Sequence, residues 1–191
     1  MTAGIRRIAC LGDSITWGYP LGPRYSWVAY LNQEFEDRFF NRGINGDTLA
    51  DMRRRFSRSV IPLNPTHTII MGGTNDVAAG RSLKEMAGDL EAMLDICSQE
   101  KIRAILALPI PAEDAPFEEK LRPWRNWLEE YSLRHNFPLL DFYQTLLDQE
   151  TGRPKRKYYC DEVHPSELGY RVMGQAAANF WRRLISESNL E

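Results

Sequence analysis

The sequence predicts a three-layer α/β/α sandwich built on a five-stranded parallel sheet of flavodoxin-like order 2-1-3-4-5. Three observations carry this expectation. Short apolar runs alternate five times with helix-patterned segments, glycine or proline punctuates several of the junctions, and 191 residues suit one domain spanning 1–191. Strands that alternate with helices must run parallel and be covered on both faces, and right-handed crossovers then favour the 2-1-3-4-5 order.

Ile5 to Leu11 reads as strand one. From Trp27 to Phe39, apolar residues at 27, 28, 31, 35 and 39 follow helical spacing, and a short second strand runs near Phe39 to Gly43. A helix from Thr48 to about Val60 is stopped by Pro62 and Pro65. Thr68 to Met71 forms strand three and ends in Gly72-Gly73. Ser82 to Glu100 is helical, with apolar positions 83, 86, 90, 93, 94 and 97, and Ile102 to Leu108 is strand four. Pro123 suits a first helical turn, so the next helix is expected over Trp124 to His135. Leu139 to Phe142 is strand five, followed by a long polar loop from Gln144 to Asp161. The last helix starts near Pro165 and places 168, 172, 176, 180 and 184 on one stripe.

Hydrophobic residues at 43% and charged residues at 26% are ordinary for a globular chain, which excludes disorder of the whole. A net charge of −2 gives no reason to expect nucleic acid as a partner. The basic runs Arg53, Arg54, Arg55, Arg58 and Arg153 to Lys157 read as solvated faces, as do Glu113, Asp114, Glu118 and Glu119. Cys10, Cys97 and Cys160 are odd in number and widely spaced, so neither a disulfide framework nor a zinc site is indicated. Each is expected to be a small buried hydrophobe, Cys160 included. No segment is apolar for long enough to insert in a membrane, and Met1 to Arg7 lacks the apolar stretch of a signal peptide. The expectation is a cytoplasmic protein with no metal and no cofactor.

In such sheets ligands bind where strand order reverses, outside the C-terminal strand ends. Gly12-Asp13-Ser14-Ile15-Thr16 follows strand one, Asn45-Gly46-Asp47-Thr48 follows strand two, and Gly72-Gly73-Thr74-Asn75-Asp76 closes strand three. These ends are neighbours, roughly 5 Å apart per strand. A hydroxyl, a glycine with a bare backbone N–H and a primary amide converge there, which is the inventory for acyl transfer. A serine needs a base. His67 precedes strand three and His135 precedes strand five, so both sit at the wrong sheet edge. His164 follows strand five and a loop long enough to cross the roughly 15 Å back to strand one. Asp161, three residues earlier, can meet Nδ1 through one turn and leave Nε2 facing Ser14.

The blocks Gly12-Asp13-Ser14-Ile15-Thr16, Asn41-Arg42-Gly43-Ile44-Asn45-Gly46-Asp47-Thr48, Gly72-Gly73-Thr74-Asn75-Asp76 and Asp161-Glu162-Val163-His164-Pro165 resemble, in order, the four signature blocks of the SGNH hydrolases, or GDSL esterases. The segments Asn126-Trp127-Leu128 and Leu139 to Tyr143 look like a bacterial branch of that family. The resemblance implies Ser14 as nucleophile, His164 as base and Asp161 as third triad member. It also implies an oxyanion hole formed by the N–H groups of Ser14 and Gly46 and the Asn75 side chain. Glu162 stands where this branch often has glycine, which puts a second carboxylate close to His164 in sequence.

Plainer roles fit several of these residues too. Ser14 suits a turn or helix N-cap, Asn75 an Asx turn, and Asp13 and Asp76 structural acceptors. Gly46 suits a positive φ angle as well as an N–H donor role. Trp27 and Trp124 fit core stripes, whereas Trp17 and Tyr19 are candidate walls of a substrate pocket. The expected function is hydrolysis of small-molecule carboxylic esters, with short acyl or acetyl groups, through an acyl-Ser14 intermediate. Acyl transfer or thioester cleavage by the same site is the near alternative. A phosphate-binding module using Ser14 and Thr16 is the distant one.

Overall fold

The computed structural model describes residues 4–188. In chain order the elements are β1 (Arg7–Gly12), α1 (Ser14–Trp17), α2 (Trp27–Glu34), β2 (Arg38–Gly43), α3 (Leu49–Ser59), β3 (His67–Met71), α4 (Thr74–Ala78), α5 (Leu83–Gln99), β4 (Arg103–Leu108), α6 (Ala115–His135), β5 (Leu139–Asp141), α7 (Phe142–Leu146) and α8 (Glu167–Ser188). The sheet order is β2-β1-β3-β4-β5, with every neighbouring pair parallel, as the sequence predicts.

Alternating side chains of each central strand feed two cores. Ile8, Cys10, Ile69, Met71, Ile105 and Ala107 face one layer, where Trp27 and Leu31 of α2 meet Met173, Ala177 and Trp181 of α8. Ala9, Leu11, Ile70, Leu106 and Leu108 face the other, against Met52 and Phe56 of α3, Leu90 and Met93 of α5, and Trp124 and Leu128 of α6. Both faces are covered, which is why these strands carry little polar sequence.

Helix starts follow side-chain caps. Thr48 and Asp51 close a reciprocal capping box on α3, and Ser82 with Glu85 does the same on α5. Asp114 accepts from the N–H of Phe117 and starts α6 at Ala115, nine residues before the expected Trp124. Pro123 therefore lies inside α6 rather than at its start. Its ring sits on the exposed side, where the backbone group it leaves unpaired can reach solvent. Glu118 is consequently not part of a solvated loop: it is half-buried, pairs with Arg125 and accepts the N–H of Ala112 at 2.9 Å.

Other boundaries move for local reasons. The second helix ends at Glu34, not Phe39, because the Asn32 side chain accepts from Phe39 N–H and donates to Phe39 C=O, seizing that residue for β2. Strand five stops at Asp141, whose carboxylate caps α7 by accepting the N–H of Gln144, so the long polar loop is shorter at its start than the sequence suggests. A 3₁₀ turn at Arg156–Tyr158 also interrupts it. On α8 the buried stripe is Tyr170, Met173, Ala177, Ala178 and Trp181, one face round from the expected 168, 172, 176, 180 and 184, which are only partly buried. Two large aromatics with polar tips decide that rotation. Tyr170 OH donates to Tyr19 C=O at 2.7 Å, and Trp181 Nε1 donates to Asp37 at 2.9 Å.

Candidate active site

Gly12 stands in register with Gly43 on one side and Met71 on the other, so the loops after β1, β2 and β3 leave the sheet side by side. The residue at 12 has to be small. A Cβ there would overlap the Thr16 side chain and lie 2.9 Å from Met71 O. Gly43 is held as tightly against the backbone of Trp17 and Asp13.

Asp13 opens α1 by accepting the N–H of Ile15 at 2.9 Å. It is fully buried, and that burial, with Asp76 and Asp47 nearby, pushes its carboxyl up to about 7 despite the hydrogen bond. Ser14 is the first residue of α1 and nearly buried, and its Oγ lies 3.0 Å from His164 Nε2. The other ring nitrogen, Nδ1, lies 2.8 Å from Asp161 Oδ2. Asp161 Oδ1 accepts the backbone N–H groups of Val163 and His164 at 2.8 and 2.7 Å. Burial raises the Asp161 pKa, but these bonds and the imidazole outweigh it and hold the carboxyl below the usual range.

The segment carrying Asp161 and His164 is tied down at several points. Tyr159 OH donates to Pro111 C=O at 2.6 Å, Cys160 N–H to His164 C=O at 2.8 Å, and Glu113 N–H to Glu162 C=O at 2.9 Å. Arg156 pairs with Glu113 and also donates to Asp161 C=O at 3.2 Å. Of the two candidate carboxylates, Asp161 is therefore the one against the ring, while Glu162 is exposed and enters this network through its backbone. Cys160 is exposed and not the buried hydrophobe expected, since its Sγ turns to Pro165 C=O at 3.3 Å. Cys10 and Cys97 are buried as expected.

Gly46 adopts φ +83°, the left-handed region that glycine tolerates, and lies exposed in the loop after β2. Asn75, second residue of α4, donates from Nδ2 to Asp47 C=O at 2.9 Å, which ties the loop after β3 to the loop after β2. Asp76 is a structural acceptor, as the sequence suggests. Its two oxygens take the N–H of Leu49 at 3.2 and 2.9 Å, and Arg81 binds it at 2.5 Å. Tyr19 is half-exposed and packs against the imidazole, with its ring centroid 4.6 Å from that of His164. Trp17 is partly buried at the end of α1, and its C=O accepts from Asn41 Nδ2 at 3.3 Å. Thr16 is fully buried, so it offers no hydroxyl for a phosphate at this turn.

Arg55 does not belong to the solvated basic face that its sequence neighbours suggest. Arg53, Arg54 and Arg58 are exposed, but Arg55 is 4% exposed and its guanidinium faces the strand ends. Nε donates to Asp47 Oδ2 at 2.5 Å, and Nη2 to the carbonyls of Gly12 at 3.0 Å and Arg42 at 2.9 Å. Helical spacing alone does not single it out, because position 55 lies three residues from the buried Met52 and equally three from the exposed Arg58. Among the described residues no group of three or more His, Cys, Asp or Glu is arranged to hold a metal ion, and no helix is long and apolar enough to cross a membrane.

A parallel α/β/α sheet that presents a serine, an imidazole and a carboxylate in line at its switch point has the arrangement that acyl-transfer chemistry requires. The chain belongs to the GDSL-like lipase/acylhydrolase family, whose sequence model matches residues 10–172, and it is a carboxylic ester hydrolase of that family. Solved structures agree. A G-D-S-L family protein from Desulfitobacterium hafniense DCB-2 is 28% identical with a TM-score of 0.86, covering 92% of this chain and 99% of its own. A member of the lipolytic G-D-S-L family from Veillonella parvula DSM 2008 is 28% identical with a TM-score of 0.82, covering 93% and 98%. The lipase/acylhydrolase from Enterococcus faecalis is 25% identical with a TM-score of 0.79, covering 92% and 94%. No match was found among curated protein sequences.

Proposed function

We propose that the protein hydrolyses small carboxylic esters, with acetyl or other short acyl groups, through an acyl-Ser14 intermediate. The observation that carries this reading is the line of contacts from Asp161 through His164 to Ser14, at 2.8 and 3.0 Å. With Nδ1 held by the carboxylate, the proton of neutral His164 sits on Nδ1 and the Nε2 lone pair faces Oγ. Ser14 Oγ attacks the ester carbonyl as Nε2 takes its proton. The tetrahedral oxyanion is met by the N–H groups of Ser14 and Gly46 and by the Asn75 amide. That amide carries two N–H bonds, of which one is spent on Asp47 C=O and the other is left for the oxyanion. Collapse expels the alcohol, which receives the proton from the imidazolium. Water then repeats the cycle on the acyl-enzyme and frees the acid.

The cavity beside His164 is lined by Glu113, Arg156, Asp161, Glu162 and Val163, and four charged side chains among these five favour a short acyl group. Transfer of the same acyl group to an alcohol would use identical residues and differ only in the acceptor. Incubating the protein with an activated acetyl ester in water, with and without added alcohol, tests the reading. Acetate as the dominant product supports hydrolysis, and a transferred ester as the dominant product rejects it.

A further inference from the structure

We propose that Arg55 is a positioning residue that sets the geometry of the oxyanion hole from below. Its one guanidinium joins the ends of β1 and β2 directly and reaches the loop after β3 through Asp47. It holds the carbonyl of Gly12, two residues before Ser14, and that of Arg42, which leads into the Gly46 turn. It also holds the carboxylate of Asp47, the residue after Gly46. The Asp47 carbonyl in turn accepts the Asn75 amide. A single buried side chain therefore sets the spacing between the three groups assigned as donors, touching none of them. Its own helix is fixed at that end, because Leu49 N–H is bound by the buried Asp76 and Thr48 closes the capping box.

The choice of arginine follows from shape. The guanidinium is planar, and its donors reach several acceptors at once in fixed directions. A lysine has one nitrogen and cannot span the carboxylate and both carbonyls. Donor positions matter to about 0.5 Å for transition-state stabilisation, whereas a ground-state ester tolerates more. Loosening the clamp should therefore lower kcat and leave KM nearly unchanged. This inference rests on the reading of Gly46 and Asn75 as oxyanion donors, and the experiment separates the two.

The variants are Arg55→Lys, which keeps the buried charge, and Asp47→Asn, which keeps volume and an acceptor for Nε. Both are assayed on 4-nitrophenyl acetate beside Asn75→Ala and the double variant Arg55→Lys/Asn75→Ala, with thermal unfolding to establish folding. Each clamp variant is expected to lose kcat by roughly 10–10³-fold with KM within about threefold of wild type. The double variant is expected to lose less than the product of the two single losses, because both act on one set of donors. Covalent labelling of Ser14 by a fluorophosphonate should slow in parallel. Wild-type kcat in both folded clamp variants, or multiplicative losses in the double variant, would overturn the proposal. So would failure of both clamp variants to fold, which would make Arg55 a support of the fold and not of the hole. Wild-type kcat in Asn75→Ala alone would instead reject Asn75 as a donor, a distinct failure.

Discussion

Asp161 grips His164 with both carboxylate oxygens: Oδ2 meets Nδ1 at 2.8 Å, and Oδ1 takes the backbone N–H groups of Val163 and His164 at 2.8 and 2.7 Å. One oxygen fixes the ring and the other fixes the turn that carries it. Asp161→Asn is expected to cut kcat by roughly 10²–10⁴-fold, since the neutral amide holds the ring without favouring the imidazolium. Glu162→Gln should cost less than about tenfold, because an exposed carboxylate acts only through screened charge. Both variants are measured on one activated acetyl ester at a pH where the wild-type rate is at its plateau. A larger loss from Glu162→Gln would place the orienting carboxylate there instead.

The Asp161 carboxyl lies below the usual carboxylate range because its hydrogen bonds outweigh burial. Its grip is therefore present above the ordinary carboxylate pKa and is lost only as pH falls through the lowered folded value.

Asn75→Ala is expected to lower kcat by roughly 10²–10³-fold with little change in KM, because a donor aimed at the oxyanion acts on the transition state. Steady-state kinetics separate the alternatives. A raised KM at unchanged kcat would mark Asn75 as a residue that binds the ground-state ester.

Much of this site is legible in the sequence because it depends on adjacency. Ser14, Gly46 and Asn75 follow the ends of strands that the topology makes neighbours, and Asp161 and His164 share one turn. What the sequence hides depends on where a side chain turns. Arg55 looks like its exposed neighbours until its 4% exposure and its carbonyl acceptors are known. Pro123 suggests a helix start, but the Asp114 cap has already opened α6 upstream. On α8 several apolar residues could form a stripe, and the hydrogen bonds of Tyr170 and Trp181 decide which face is buried.

Asp13 gives the fold a pH dependence of predictable sign. Burial raises its carboxyl from 3.8 to about 7, so the folded state keeps a proton that the unfolded chain releases. Stability from this group falls as pH rises from about 4 to about 7, by roughly 1.4 kcal/mol per unit and up to about 4 kcal/mol in all. Asp13→Asn retains an oxygen to accept the Ile15 N–H but carries no charge. Chemical unfolding of both proteins across that range should show the variant gaining on the wild type as pH rises. A pH-independent difference would contradict the assignment.

Acyl length should matter in one direction. Tyr19 stands over His164, and the groups beside the ring are charged. Acetyl to butyryl esters of 4-nitrophenol are expected to turn over faster than the dodecanoyl ester. A kcat/KM that climbs steadily with chain length would reject the short-acyl reading.

The most direct test of the account is covalent labelling of Ser14. Wild-type protein treated with a fluorophosphonate should gain the mass of one adduct, located by peptide mapping to Ser14, in step with loss of ester turnover. Ser14→Ala should take up no label and lose turnover by more than roughly 10³-fold while unfolding as cooperatively as the wild type. A label on another residue, or wild-type turnover in Ser14→Ala, would contradict the assignment of Ser14 as the nucleophile.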